Sequence, residues 1–179
     1  MKAVMISIQP KWVEKIANGE KTIEVRKTRP EIETPFKCYI YCTKGEILWL
    51  TQNGVKSKTE LAGYLLNGKV IGEFVCDWIK EYTSNERGWY CYDLETCLLC
   101  DEIAGYGKGK TLYGWHISDL KIYDKPKELS EFFRTCPTKE KGDCLSCDCL
   151  ADNDYGGVCT NNLTRPPQSW QYVEKQDND

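Results

Sequence analysis

The sequence is short of several things that would identify a function directly. It has one histidine, His116, in 179 residues, which excludes a His-rich catalytic metal centre. It has no run of eighteen or more apolar residues, so no segment reads as a membrane-spanning helix. The apolar start, Met1 to Ile8, lacks a long hydrophobic region with a small-residue cleavage site and is cut off by Gln9-Pro10. We read it as a strand, not a secretory signal, and expect a cytoplasmic protein. There is no internal repeat and no low-complexity tract. Charge of one sign is also lacking: the net charge is −3, which excludes a uniformly basic nucleic-acid-binding coat. It does not exclude a local basic pocket, because residues 1–46 hold nine Lys/Arg against six Asp/Glu and the remainder is acidic.

Cysteine, by contrast, is abundant. Eleven in a chain without an export signal argue for thiols and metal binding over a disulfide scaffold. Cys38, Cys42, Cys76, Cys91, Cys97 and Cys100 are scattered through apolar stretches and read as small core residues. Cys136, Cys144, Cys147, Cys149 and Cys159 crowd into 24 positions. Cys144-x2-Cys147 has the spacing of a zinc knuckle, and Cys136 and Cys159 complete a tetrahedral set, with Cys149 spare or replacing Cys147. That stretch offers few apolar residues for burial, so a structural zinc ion is the expected staple. Four thiolates leave no open coordination position, so no catalytic metal is expected.

The pattern along the chain predicts a strand over residues 2–8 and then a helix, with Pro10 in its first turn and Asn18-Gly19 as its stop. Lys21 to Lys27 reads as a strand with Ile23 and Val25 on one face and Thr22, Glu24 and Arg26 on the other. A turn-rich loop, Thr28 to Pro35, leads to a strand over Phe36–Thr43. Further on, helices are expected over Thr59–Leu66, Asp93–Ala104 and Glu128–Phe133. Strands are expected over Lys69–Ile79, Thr111–Ile117 and Leu120–Tyr123. Gly105 to Gly109 contains G-x-G-x-G, but it follows a helix and precedes a strand, the reverse of a dinucleotide-binding motif, and reads as a loop. The order of elements predicts an α+β barrel over 1–125, a Cys-rich appendage over 126–164, and a segment over 165–179 that returns to the barrel.

Lys21, Glu24 and Arg26 are the most informative group. One carboxylate between two cations is too charged to be buried without partners. It is either a solvated surface ion pair or a cleft in which Lys21 and Arg26 meet a phosphate or polar base edge and Glu24 orients them. His116, alone on a mostly apolar strand, has the alternatives of a satisfied structural residue or a site residue.

Gly19-x-Lys21-x-x-Glu24-x-Arg26 resembles the G-x-K-x-x-E-x-R signature of activating-signal-cointegrator homology (ASCH) domains. Ile6-Ser7-Ile8-Gln9-Pro10 is similar to the strand and proline that open those domains. Leu112 to Leu120 and Pro166-Pro167-Gln168-Ser169-Trp170 are similar to small ASCH proteins often encoded by phages and prophages. The resemblance implies a PUA-like β-barrel with a cleft beside the first helix that binds RNA, nucleotides or related small ligands. It places Gln9, Lys21, Glu24, Arg26, Trp115 and His116 at that cleft, with Trp115 stacking on a base. Some members of the wider family hydrolyse N4-acylated cytidines and others are linked to RNA cleavage. The amidohydrolase type resembles this chain at Lys21 but departs from it in carrying Thr where this chain has Glu24. An enzyme of that kind here would use Lys21 with Glu24, and Glu95 is the candidate for its further catalytic Glu. A phage protein that sequesters a nucleotide signal is a third reading.

Overall fold

The computed structural model describes residues 2–52, 54–56, 63–135, 150–151, 158–159 and 161–176. β1 (Lys2–Ile8) runs into α1 (Pro10–Ala17), then come β2 (Ile23–Arg26) and β3 (Phe36–Cys42). Three short strands follow, β4 (Trp49–Thr51), β5 (Gly54–Lys56) and β6 (Tyr64–Leu65), and after them β7 (Val70–Cys76) and β8 (Ile79–Tyr82). α2 (Cys100–Gly107), β9 (Leu112–His116), β10 (Ser118–Lys127), β11 (Leu150–Ala151), β12 (Val158–Cys159) and β13 (Trp170–Glu174) complete the order.

Five strands form a mixed sheet in the order β10-β7-β3-β1-β13, in which β1 and β3 are parallel and the other pairs antiparallel. A second sheet, β2-β9-β8, is antiparallel, and the chain passes from it to the first at the buried Ile117, between β9 and β10. β4 to β6 form a small third sheet and β11 pairs with β12. Among the described residues the pairings leave open sheets and do not close a barrel. What the structure gives of the expected barrel is therefore a sheet-rich α+β fold with two α-helices among the described residues. No described helix is long and apolar enough to cross a membrane.

The main core lies between the two sheets and gathers Val4, Ile6, Val13, Ile40, Phe74 and Trp115. A satellite core on the other side of β2 joins Ile23 and Val25 to Tyr82, Tyr90, Ile103 and Leu112. β2 is therefore covered on both faces, and all four of its residues are buried.

Several sequence expectations shift. The helix expected from Asp93 is interrupted: Leu94–Thr96 is a single 3-10 turn, Cys97 takes a left-handed φ of 54°, and α2 begins only at Cys100. α2 then runs through the glycine-rich stretch to Gly107, whose missing Cβ makes room for the Tyr90 ring. The described part of Thr59–Leu66 holds the strand Tyr64–Leu65, paired with β4, where a helix was expected. Lys69–Ile79 is divided into β7 and β8 by Asp77-Trp78, and Glu128–Phe133 contracts to a 3-10 turn over Leu129–Glu131. Cys38, Cys42 and Cys76 are buried, and burial pushes the Cys42 and Cys76 thiols up to about 12. Cys91 and Cys100 are exposed and Cys97 is half-buried, so those three are not core residues. Cys136, Cys144, Cys147 and Cys149 lie outside the described residues, as does the side chain of Cys159.

Candidate functional site

α1 forms where it does because Pro10 occupies its first turn and Val13 and Ile16 are buried on one face. It stops at Asn18, and Gly19 follows with φ +75°, a left-handed conformation that favours glycine. The backbone N–H groups of Glu20 and Lys21 both bond back to the Lys15 carbonyl, which turns the chain and directs Lys21 inward. This is the structural meaning of the glycine two residues before the lysine.

Lys21 is 2% exposed, Glu24 5% and Arg26 8%. Their partners make that burial tolerable. Glu24 forms ion pairs with both cations, at 3.5 Å from Lys21 Nζ and 2.9 Å from Arg26 Nη2. Lys21 Nζ also donates to the carbonyls of Ile23 at 2.7 Å and Thr96 at 2.5 Å. The ammonium is thus held by two carbonyls and one carboxylate. Burial lowers the Lys21 pKa from its ordinary value, and the nearby Glu24 carboxylate opposes the shift. Arg26 Nη2 donates to the Ser7 carbonyl at 2.6 Å, and Nη1 makes a long contact with Ser169 Oγ at 3.4 Å. Arg26 Nε is buried with no hydrogen-bond partner among the described residues. With two cations and one carboxylate, the group carries one positive charge in excess.

This group forms the floor of a cavity of about 490 Å³. Gln9, Lys11 and Trp12 from the start of α1 make one wall, and Leu98, Glu102 and Tyr106 make the facing wall. Ser7, Thr43, Gln168 and Ser169 close the end. Lys11 bridges to Glu102 at 3.2 Å across the two helices and lies 4.1 Å over the Trp12 ring. The Lys21 ammonium sits 5.2 Å from the centroid of the same ring. Ser7 Oγ donates to the Pro167 carbonyl at 2.6 Å and the Ser7 amide to the Ser169 carbonyl at 2.9 Å, so the C-terminal wall is fastened to β1.

Of the residues the sequence placed at the cleft, Gln9, Lys21, Glu24 and Arg26 meet at this cavity. Trp115 and His116 are not in its lining. Trp115 lies directly opposite Glu24 in the β2–β9 pairing but is fully buried, packed edge-on against Phe36 and tilted against Trp170, so it offers no face for stacking. His116 projects from the opposite face of β9, where Nδ1 is 2.6 Å from Asp77 Oδ1 and the ring stacks on Trp78 at 4.4 Å. Glu95 is exposed on the 3-10 turn, where it accepts from Thr22 Oγ1 at 3.2 Å outside the cavity lining. Sequence reasoning missed Ser7, Trp12, Tyr106 and Gln168-Ser169. Tyr106 and Gln168-Ser169 come from parts of the chain distant from Lys21.

No protein-family model and no curated protein sequence matches the chain. Solved structures do. A serine-to-alanine mutant of the ASCH protein of Zymomonas mobilis superposes with a TM-score of 0.57 at 18% identity, covering 97% of this chain and 89% of that one. A tyrosine-to-phenylalanine mutant of the same protein gives 0.52 at 18% identity, covering 98% and 92%. The chain therefore has the fold of an ASCH domain.

Proposed function

We propose that the cavity binds a nucleotide, either free or as one unit of single-stranded RNA, with the base between Trp12 and Tyr106 and an acceptor group facing Arg26. The observation that carries this reading is the buried Lys21–Glu24–Arg26 group. Its excess positive charge lies at the floor of a cavity within the roughly 300–1,000 Å³ range of small-molecule sites, and it favours an anionic or strongly accepting ligand. The likeness in fold to ASCH proteins, with the RNA or nucleotide ligand that the sequence resemblance implies, supports the same ligand class.

Hydrolysis of an N4-acylated cytidine or of RNA in the same cavity finds less support. Lys21 is held by two carbonyls and the Glu24 carboxylate, both oxygens of Glu24 are paired with cations, and Glu95 stands outside. The test is calorimetric titration with N4-acetylcytidine, cytidine monophosphate and a short single-stranded RNA, followed by chromatography of each mixture. Saturable binding with the ligand recovered intact is expected. Trp12→Ala should weaken it by the loss of one stacking contact, about 1–3 kcal/mol. Consumption of a ligand would establish the enzyme reading, and titrations without heat for all three would overturn nucleotide binding.

The cysteine-rich segment is proposed to hold structural zinc through Cys136, Cys144, Cys147 and Cys159, on the spacing argument alone. Metal analysis of untagged protein should find about one zinc per chain. A chelator should open residues 136–160 to protease while the remainder stays folded. Metal-free protein with an unchanged digestion pattern would remove zinc from the account.

A further inference from the structure

A second concavity, of about 910 Å³, adjoins the first. One side is the loop from Lys27 to Thr34, which leaves β2 directly after Arg26; the other is Ile79 of β8 and Tyr113 of β9. The loop is fastened at two points. Trp170 Nε1 donates to Thr28 Oγ1 at 2.9 Å, and the Glu31 amide donates to Tyr172 Oη at 2.8 Å. Lys27 marks the boundary between the two hollows: it lines the second, and its ammonium lies 4.7 Å over the ring of Tyr106, which lines the first. Also in the groove lining, the exposed Arg29 guanidinium stands 5.7 Å from the Tyr113 ring centroid.

We propose that this groove takes a second nucleotide, so that the ligand is single-stranded RNA of at least two residues, its linking phosphate at Lys27 and its second base against Tyr113 beneath Arg29. The proposal rests on the reading that the first cavity holds a nucleotide. Two features select this occupant. A cation at the passage between two hollows, each with an aromatic ring in its wall, matches the alternation of phosphate and base in a nucleic-acid strand. The groove is also neutral overall, with Glu31 and Glu33 set against Lys27 and Arg29, which suits a base and one shared phosphate better than a run of phosphates.

The test compares the four ribonucleoside monophosphates with the four matching homodinucleotides ApA, CpC, GpG and UpU, by calorimetry at one salt concentration. The monophosphates are used as their 3′-phosphate methyl esters, so that each pair carries one singly charged phosphodiester and the comparison isolates the second nucleoside. The best dinucleotide should bind about tenfold or more tightly than its monophosphate, in line with one added stacking contact. Arg29→Ala, an exposed substitution, should abolish that advantage while changing monophosphate affinity by less than about twofold, as expected for separate sites. Equal affinities in the wild type, or an advantage that survives Arg29→Ala, would overturn the second site and leave the first intact. Arg29-dependent binding of dinucleotide with no binding of any monophosphate would keep the groove and overturn the cavity reading. Binding of neither overturns both.

Discussion

Glu24→Gln should cost about 3–5 kcal/mol of unfolding free energy at neutral pH, the range for removing one partner from a buried ion group. Glu24 is the only carboxylate within ion-pair distance of Lys21 and Arg26 among the described residues, at 2% and 8% exposure. An amide keeps the shape and loses the charge, so two buried cations would face each other without a counter-ion. The deficit should depend on pH in a definite direction. Lys21 is already held below its ordinary 10.5 by burial, and the Glu24 carboxylate is the largest influence opposing that shift. In the variant the folded-state pKa falls further while the unfolded value stays put. Between the two values the unfolded chain binds the extra proton, so stability rises with pH across that window. The difference between variant and wild type should therefore shrink as pH is raised from neutral towards 10. Denaturant unfolding of both proteins at several pH values checks this, and the subtraction removes every other titrating group. A loss below about 1 kcal/mol, the scale of an exposed pair, would mean that water reaches the group.

The same three residues mark what a sequence can disclose. Period-two alternation separates Ile23 and Val25 from Glu24 and Arg26, and the structure puts the first two in the satellite core and the second two at the cavity, which Val25 also borders. Alternation assigns faces without saying what covers them. Here α2 and the satellite core cover one face, while the main core and the cavity occupy the other, so charged residues whose pattern by itself favours a solvated strand are buried. β1, α1 and β3 were legible because their apolar periodicity and their Pro, Asn and Gly signals agree. The second helix was misplaced because its pattern continues across Cys97, where a left-handed residue breaks the chain. Trp115 illustrates the opposite difficulty. Its position opposite Glu24 is consistent with a site residue, yet its ring is taken by Phe36 and Trp170, one of them from the far end of the chain. The site walls formed by Ser7 and Ser169 depend on a contact across about 160 positions, which no local pattern encodes.

Arg26→Lys should be nearly as damaging as losing the charge altogether, because Arg26 acts through its shape. One guanidinium reaches Glu24 Oε1, the Ser7 carbonyl and Ser169 Oγ, and so joins β2 to β1 and to the C-terminal wall. A lysine ammonium is a point charge on a different stem and cannot span those three acceptors. Loss of the charge-assisted bonds should lower stability by about 1.5–3 kcal/mol. The local consequence is more specific. Ser7 meets the wall through its own hydroxyl on Pro167 and its amide on Ser169, so with Arg26 gone the wall is held from β1 alone. Hydrogen exchange at the Ser7 amide should accelerate, and binding of cytidine monophosphate should weaken by about tenfold or more, the scale of one lost charge-assisted bond. Ser7→Ala provides the comparison. It removes the hydroxyl bond alone, so it should cost about 1 kcal/mol and leave the Lys21–Glu24–Arg26 group in place. If Arg26→Lys weakens the nucleotide while Ser7 exchange stays slow, Arg26 contacts the ligand directly and the wall is held by other means. If Arg26→Lys and Ser7→Ala weaken binding equally, the wall, and not the charge at the floor, sets affinity.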